Sequence, residues 1–328
     1  MMRFLPLLFS VIAPALACAQ EPPPELALPV DCTPGVDCWI PLYVDVAEGL
    51  DAQDYQCGKL SYDGHNGTDF AVRDLAAVAA GVAVRAAADG IVIATRDEVM
   101  DGGSDVAPAG QECGNGVRLA HGTEWETQYC HLRRGSIVVQ PGDRVRAGEE
   151  IGSVGLSGQT TFPHVELVVR RGGEAIDPFR GPGAPAECGV GKDPLWSAVA
   201  LDQLAYRPVL LVNAGFAPGR PVAEDARRGW LARETMPATA PALVLWFDAY
   251  WTEPGDRVRF ELRGPDGATV LDQAFVLDDA HKQWFGFAGA RRPADRWPAG
   301  AYSGTVTLEG ERPTGPQRLA IERAIVLE

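Results

Sequence analysis

The sequence predicts an all-β protein made of two antiparallel units in series. Short Val/Ile runs separated by glycine fill residues 61–180, and strict two-residue alternation of apolar and polar side chains marks the C-terminal region. Turn-forming clusters such as Pro265-Asp266-Gly267 punctuate the second region. With 328 residues, of which 46% are hydrophobic and 22% charged, the chain is too long for one small core and too apolar for disorder.

The first element is a leader. Met1-Met2-Arg3 precedes an apolar run from Phe4 to Ala17, and Ala17-Cys18-Ala19 provides small residues where a signal peptidase reads. Residues 1–19 are therefore expected to be a signal peptide cleaved after Ala19. The run is shorter than the about 20 residues of a membrane span and contains Pro6 and Pro14, so no transmembrane helix is expected in the mature protein. Acylation of Cys18 is a second reading, disfavoured because Ala15 stands where a lipobox usually has leucine. Either route exports the chain to the periplasm or cell envelope.

Six further cysteines, Cys32, Cys38, Cys57, Cys113, Cys130 and Cys188, form an even set that suits disulfides in an exported chain. Cys32 and Cys38 bracket the turn-like Thr33-Pro34-Gly35-Val36-Asp37, and Cys113 and Cys130 lie on neighbouring strand-like runs. Cys57 and Cys188 remain by elimination. Metal thiolates are not expected, because no Cys-x-x-Cys pair occurs.

Residues 20–60 read as an irregular Cys/Pro-rich segment, 61–180 as the first β domain and 181–204 as a linker opened by Gly181-Pro182-Gly183. Residues 205–328 read as an immunoglobulin-like β-sandwich, in which Val258, Phe260 and Leu262, then Val306 and Leu308, face inward. Its aromatics Trp246, Tyr250, Trp251, Trp284, Phe285, Phe287 and Trp297 suit its core better than a sugar platform. The net charge of -15 excludes nucleic acid held through phosphate contacts.

Chemistry concentrates in the first domain. In Gly64-His65-Asn66-Gly67-Thr68-Asp69, glycines disfavour a helix, so His65 and Asp69 converge through a turn. In His164-Val165-Glu166-Leu167-Val168-Val169-Arg170, strand alternation puts His164 and Glu166 on one face. Tyr129-Cys130-His131-Leu132 adds another imidazole. These residue types suit a metal at His65, Asp69 and Glu166, with His131 and His164 left for proton transfer. His121, in a turn, reads as structural or rim, and His281, beside Asp278 and Asp279, as a solvated surface residue.

The segment from Tyr62 to Phe179 resembles the lysostaphin or LytM type of peptidoglycan zinc metalloendopeptidase. The matching pieces are His65-x-x-x-Asp69, Val84-Arg85-Ala86 with Asp89-Gly90, Tyr129-Cys130-His131-Leu132, the glycine pattern from Gly142 to Gly155, Gly158 to His164, and Ile176-Asp177-Pro178. The resemblance implies a compact antiparallel β fold, one Zn²⁺ per chain and hydrolysis of a cell-wall peptide bond. The family ends its site with His-x-His, whereas this chain has His164 and Glu166. The third ligand is thus a carboxylate, and two carboxylates offset the charge of the ion and weaken it as a Lewis acid. The expected function is peptidoglycan crosslink hydrolysis, with reduced or altered turnover.

The alternative is a degenerate, non-catalytic relative that binds cell wall or regulates another cell-wall hydrolase. A lipoyl- or biotin-type carrier is excluded, because none of the three lysines, Lys59, Lys192 and Lys282, lies at the required hairpin tip in Gly142 to Gly148. A sugar-phosphotransferase carrier conflicts with the leader and the cysteines.

Overall fold

The computed structural model describes residues 21–105, 109–183 and 187–328. The leader, its cleavage site and Cys18 lie outside the described residues. The chain is mostly β, as expected.

In the first unit the strands are β1 (Cys38–Leu42), β2 (Thr68–Val72), β3 (Ala83–Arg85), β4 (Gly90–Arg96), β5 (Asn115–His121), β6 (Trp125–Leu132), β7 (Arg144–Val145), β8 (Glu150–Ser153), β9 (His164–Arg171) and β10 (Glu174–Ala175). An eight-stranded sheet runs β1-β2-β9-β6-β5-β4-β7, with β10 beside β9, and β3 pairs with β8 separately. The pairings between these named strands are antiparallel. Alternation sends Val165, Leu167 and Val169 of β9, with Trp125 and Tyr129 of β6, into the core. The other face of the same strands carries the ionisable residues.

The core reaches beyond 61–180. Leu26, Val30, Tyr43 and Tyr55 from the segment expected to be irregular are buried in it, and that segment also contributes β1. Pro41 in β1 coincides with a register irregularity between Trp39 and Leu42, which an edge strand tolerates. From residues 181–204, expected as a linker, Leu195, Trp196, Ala200 and Leu204 enter the same core, the last two at helix Ala198–Gln203. Leu26 is stitched directly to this stretch: its N–H donates to the Leu195 carbonyl and its carbonyl accepts from Ser197 N–H, both at 2.8 Å.

All three expected disulfides are present: Cys32–Cys38, Cys57–Cys188 and Cys113–Cys130. Cys113 sits in a turn just before β5 rather than within a strand.

The second β region contains β11 (Leu210–Ala217), β12 (Thr235–Met236), β13 (Ala242–Thr252), β14 (Arg257–Arg263), β15 (Thr269–Val276), β16 (His281–Arg291), β17 (Gly300–Arg312) and β18 (Gly315–Leu327). One sheet runs β11-β13-β16 and another β12-β18-β17-β14-β15. Leu243, Leu245 and Phe247 of the first share a core with Val258, Phe260, Leu262, Val306 and Leu308 of the second. Trp246 and Trp297 are buried, whereas Phe287 is exposed.

Asp177, at the end of the first unit, is buried. Its Oδ1 accepts from Phe179 N–H at 2.7 Å, while Oδ2 has no hydrogen-bond partner among the described residues. Burial raises its carboxyl to about 6 despite the two backbone N–H groups that favour the anion. A folded-state value above the unfolded one means that the folded chain holds the proton more tightly. The resulting stabilisation is complete below the ordinary aspartate range and is lost as pH rises through about 6. Asp177→Asn removes this titration, so the stability of the wild type relative to the variant is expected to fall by on the order of 3 kcal/mol between pH 4 and 7. Denaturant melts at both pH values measure the difference, and a flat difference would refute the assignment.

Candidate metal centre

The site lies where β2, β9 and β6 run side by side. The Cα register sets Asp69 opposite Glu166 and Glu166 opposite Cys130, so two carboxylates face each other across one antiparallel pair. Like charges in that position repel, and a cation between them reverses the sign. Asp69 is 3% exposed, and its Oδ1 is buried without a hydrogen-bond partner among the described residues. Gly67 makes room for its neighbour, since a Cβ there would lie 2.4 Å from Glu166 Cγ.

His65 enters from the turn before β2, as its glycine-rich surroundings suggest. Its Nδ1–H donates to the Tyr43 carbonyl at 2.8 Å, a bond that orients the ring and turns Nε2 inward. Nε2 lies 3.2 Å from Asp69 Oδ1 and 3.6 Å from Glu166 Oε1. These three donor atoms lie within 4.8 Å of one another. An imidazole nitrogen with two carboxylate oxygens suits a divalent ion of the zinc type, so the residues present fit such a group. Burial opposes the charge on His65, but Asp69 outweighs it and lifts the imidazole to about 9. Burial likewise works against the Asp69 anion, and the imidazoles of His164 and His65 overcome it and hold the carboxyl below its usual range.

His131 and His164 lie side by side, their ring centroids 4.6 Å apart. His131 occupies a bulge where Asn115 pairs with Leu132 but Val117 pairs with Tyr129, and its φ of 65° is rare for a residue with a Cβ. The bulge is held from three sides. His131 N–H donates to the Cys113 carbonyl, the Cys113–Cys130 disulfide clamps the preceding residue, and Ser157 Oγ donates to the Leu132 carbonyl. His131 Nδ1–H donates to the Ser157 carbonyl at 2.8 Å, and His164 Nδ1–H to that of Phe162 at 3.0 Å. Nε2 of His131 then faces Glu166 Oε2 at 3.6 Å, and Nε2 of His164 faces Asp69 Oδ2 at 3.4 Å. Burial disfavours charge on both rings. Glu166 outweighs it at His131, which is raised, while at His164 burial prevails and the ring is lowered.

A profile of peptidase family M23 matches residues 63–178. Residues 63–178 form a peptidase family M23 domain. Peptidoglycan DD-endopeptidase ShyA of Vibrio cholerae serotype O1 is 36% identical over 108 residues, which cover 32% of this chain and 20% of that protein. DD-carboxypeptidase/endopeptidase Mpg of Neisseria meningitidis serogroup B is 34% identical over 114 residues, covering 35% and 22%. The match therefore spans about a fifth of the length of these curated relatives. A zinc-containing peptidase from Vibrio cholerae is 24% identical in structural comparison, covering 42% of this chain and 38% of that one, with a TM-score of 0.28.

All five expected site residues of the M23 domain converge on one cleft of about 690 Å³. His121 does not join them: its Nδ1 meets the Asp89 carbonyl and its Nε2 meets Thr127 Oγ1, a structural arrangement. His281 stacks on Trp284 in the second region. Unforeseen from the sequence, the second region supplies one cleft wall through Tyr250, Trp251, Lys282 and Gln283. Trp251 Nε1–H donates to the Pro41 carbonyl at 2.6 Å, and Phe162 lies between His164 and Tyr250. The aromatic richness of the second region was its only signal, and core packing accounted for that better than an exposed platform did. Along the floor, Arg170 follows His164, Glu166 and Val168 on the same face of β9, its Nη1–H held by Gln128 Oε1.

Proposed function

We propose that this chain is an exported zinc metalloendopeptidase that hydrolyses peptide crosslinks in peptidoglycan, with the ion held by His65, Asp69 and Glu166. The observation that carries the reading is the inward convergence of His65 Nε2, Asp69 Oδ1 and Glu166 Oε1 beside two further imidazoles whose Nε2 atoms face the same carboxylates. Zinc bound there supplies Lewis-acid polarisation of a peptide carbonyl and of water. His164, lowered toward the neutral form, accepts a proton at Nε2. His131, raised by Glu166, carries a proton to the leaving amine or hydrogen-bonds the developing oxyanion. Both rings are buried in the cleft wall, which fixes their orientation for these transfers.

The peptidoglycan DD-endopeptidase relatives support the substrate class. Arg170 and Lys282 give the cleft cationic side chains in a chain with net charge -15, which suits a peptide bearing carboxylates. Three disulfides support an oxidising compartment, which we take to be the periplasm or cell envelope. The second region we read as an immunoglobulin-like sandwich that completes the substrate wall.

Glu166 favours one competing reading, a domain that binds wall peptide or another cell-wall hydrolase without cleaving. Metal content by mass spectrometry and muropeptide release, measured on wild type and Glu166→His, separate the two. Bound zinc with release by the wild type is expected. Metal and release confined to Glu166→His would overturn the proposal and leave a binding protein.

A further inference from the structure

The cleft floor holds a cation that the chain itself does not neutralise. Arg170 stands on the cleft face of β9, two residues beyond Val168 and four beyond Glu166. Directly opposite it on β6 is Glu126, whose carboxylate pairs with Arg118 instead. Among the described residues Arg170 has no ion pair, and its side chain makes one hydrogen bond, from Nη1–H to Gln128 Oε1 at 2.8 Å.

That bond sets the direction of the guanidinium. Gln128 turns Nε2 toward Cys113 and Cys130 Sγ, at 3.1 and 3.2 Å, which leaves Oε1 for Arg170. Gln128 lies opposite Val168, so reaching it tilts the Arg170 side chain back along β9 toward the ionisable centre. At about 3.4 Å per residue, a guanidinium level with Val168 stands roughly 7 Å along the strand from Glu166. Its remaining N–H groups can meet the two oxygens of a carboxylate in a fork.

Three carboxylates share the cleft. Glu112 accepts from Gly110 N–H at 2.9 Å, and the ion of the proposed site offsets Asp69 and Glu166. Arg170 and Lys282 then outnumber the negative charge that is left.

We infer that Arg170 determines specificity by binding a free carboxylate carried within about two residues of the scissile bond. This rests on the peptidase reading given above and narrows its substrates to anionic peptides. Gln128 is a positioning residue, because it aims the guanidinium without facing the substrate charge itself.

The test uses crosslinked muropeptides with their carboxyl groups left free or converted to primary amides. Wild type is expected to prefer the free acids by about 10–100-fold in kcat/KM, with the difference carried by KM. Arg170→Gln is expected to erase the preference with zinc content unchanged. Equal handling by wild type, or a preference that survives in Arg170→Gln, overturns the inference; the second result would move recognition to Lys282. Should Arg170→Gln fail to fold, Arg170→Lys decides, since it keeps the charge and loses the fork: a reduced preference is expected, and an undiminished one overturns the inference. Release of neither muropeptide by wild type overturns the hydrolase reading alone. Equilibrium binding of the same two muropeptides to the Zn²⁺-treated full chain then decides, with tighter binding of the free acids expected and equal affinity or no binding overturning the inference.

Discussion

His164→Ala is expected to lower muropeptide release by about 10²–10⁴-fold while the ion at His65, Asp69 and Glu166 stays bound. The ring is 3% exposed, packed on Phe162 and held by its Nδ1, so alanine removes a placed proton acceptor that water replaces poorly. Metal analysis must accompany the assay. Loss of the bound ion would show that His164 is itself a ligand, and unchanged release would remove it from the reaction. His281→Ala, at a side chain that stacks on Trp284 and is not among the residues that line the cleft, is the control and should retain release.

The largest expected loss of stability lies in the second β region. Arg312 Nη1 and Nη2 donate to the two oxygens of Asp256, each at 2.7 Å, and the two side chains are 2% and 1% exposed. Arg312→Ala leaves Asp256 charged and buried, at a cost of about 3–5 kcal/mol. Replacing both partners with leucine should recover much of that loss, because no uncompensated charge remains. Urea melts of the single and double variants measure this. A single variant within about 0.5 kcal/mol of wild type would show that the pair is not structurally required. Arg312 Nη2 also donates to the Trp251 carbonyl, and the Trp251 indole meets Pro41, so the single variant is further expected to loosen the cleft wall.

Much of the site could be read from the sequence, because strand alternation is a local property. His164 and Glu166 share a face for the same reason that Val165 and Leu167 share the other. His65 and Asp69 converge through a turn whose glycines leave little choice. The bulge at His131 was not legible: it arises from register between β5 and β6, which no single segment encodes. Nor were the carbonyls of Tyr43, Ser157 and Phe162 that orient the three rings, since a backbone acceptor carries no residue identity. Alternation in the second region revealed its inward faces but gave no hint that Tyr250 and Gln283 would meet the cleft. Contacts between distant segments depend on assembled packing.

The stitch between Leu26 and residues 195–197 imposes a timetable on synthesis. Leu26 and Val30 emerge early, yet the partners that complete their core do not exist until the ribosome has passed residue 204. At about 5–20 residues per second the delay is on the order of 10–30 s. Throughout it the core around Leu26 and Val30 lacks Leu195, Trp196, Ala200 and Leu204, and Cys57 has no Cys188 to join. The first unit is thus expected to close its core only after residue 204 has been made, with its earliest and latest segments joining last.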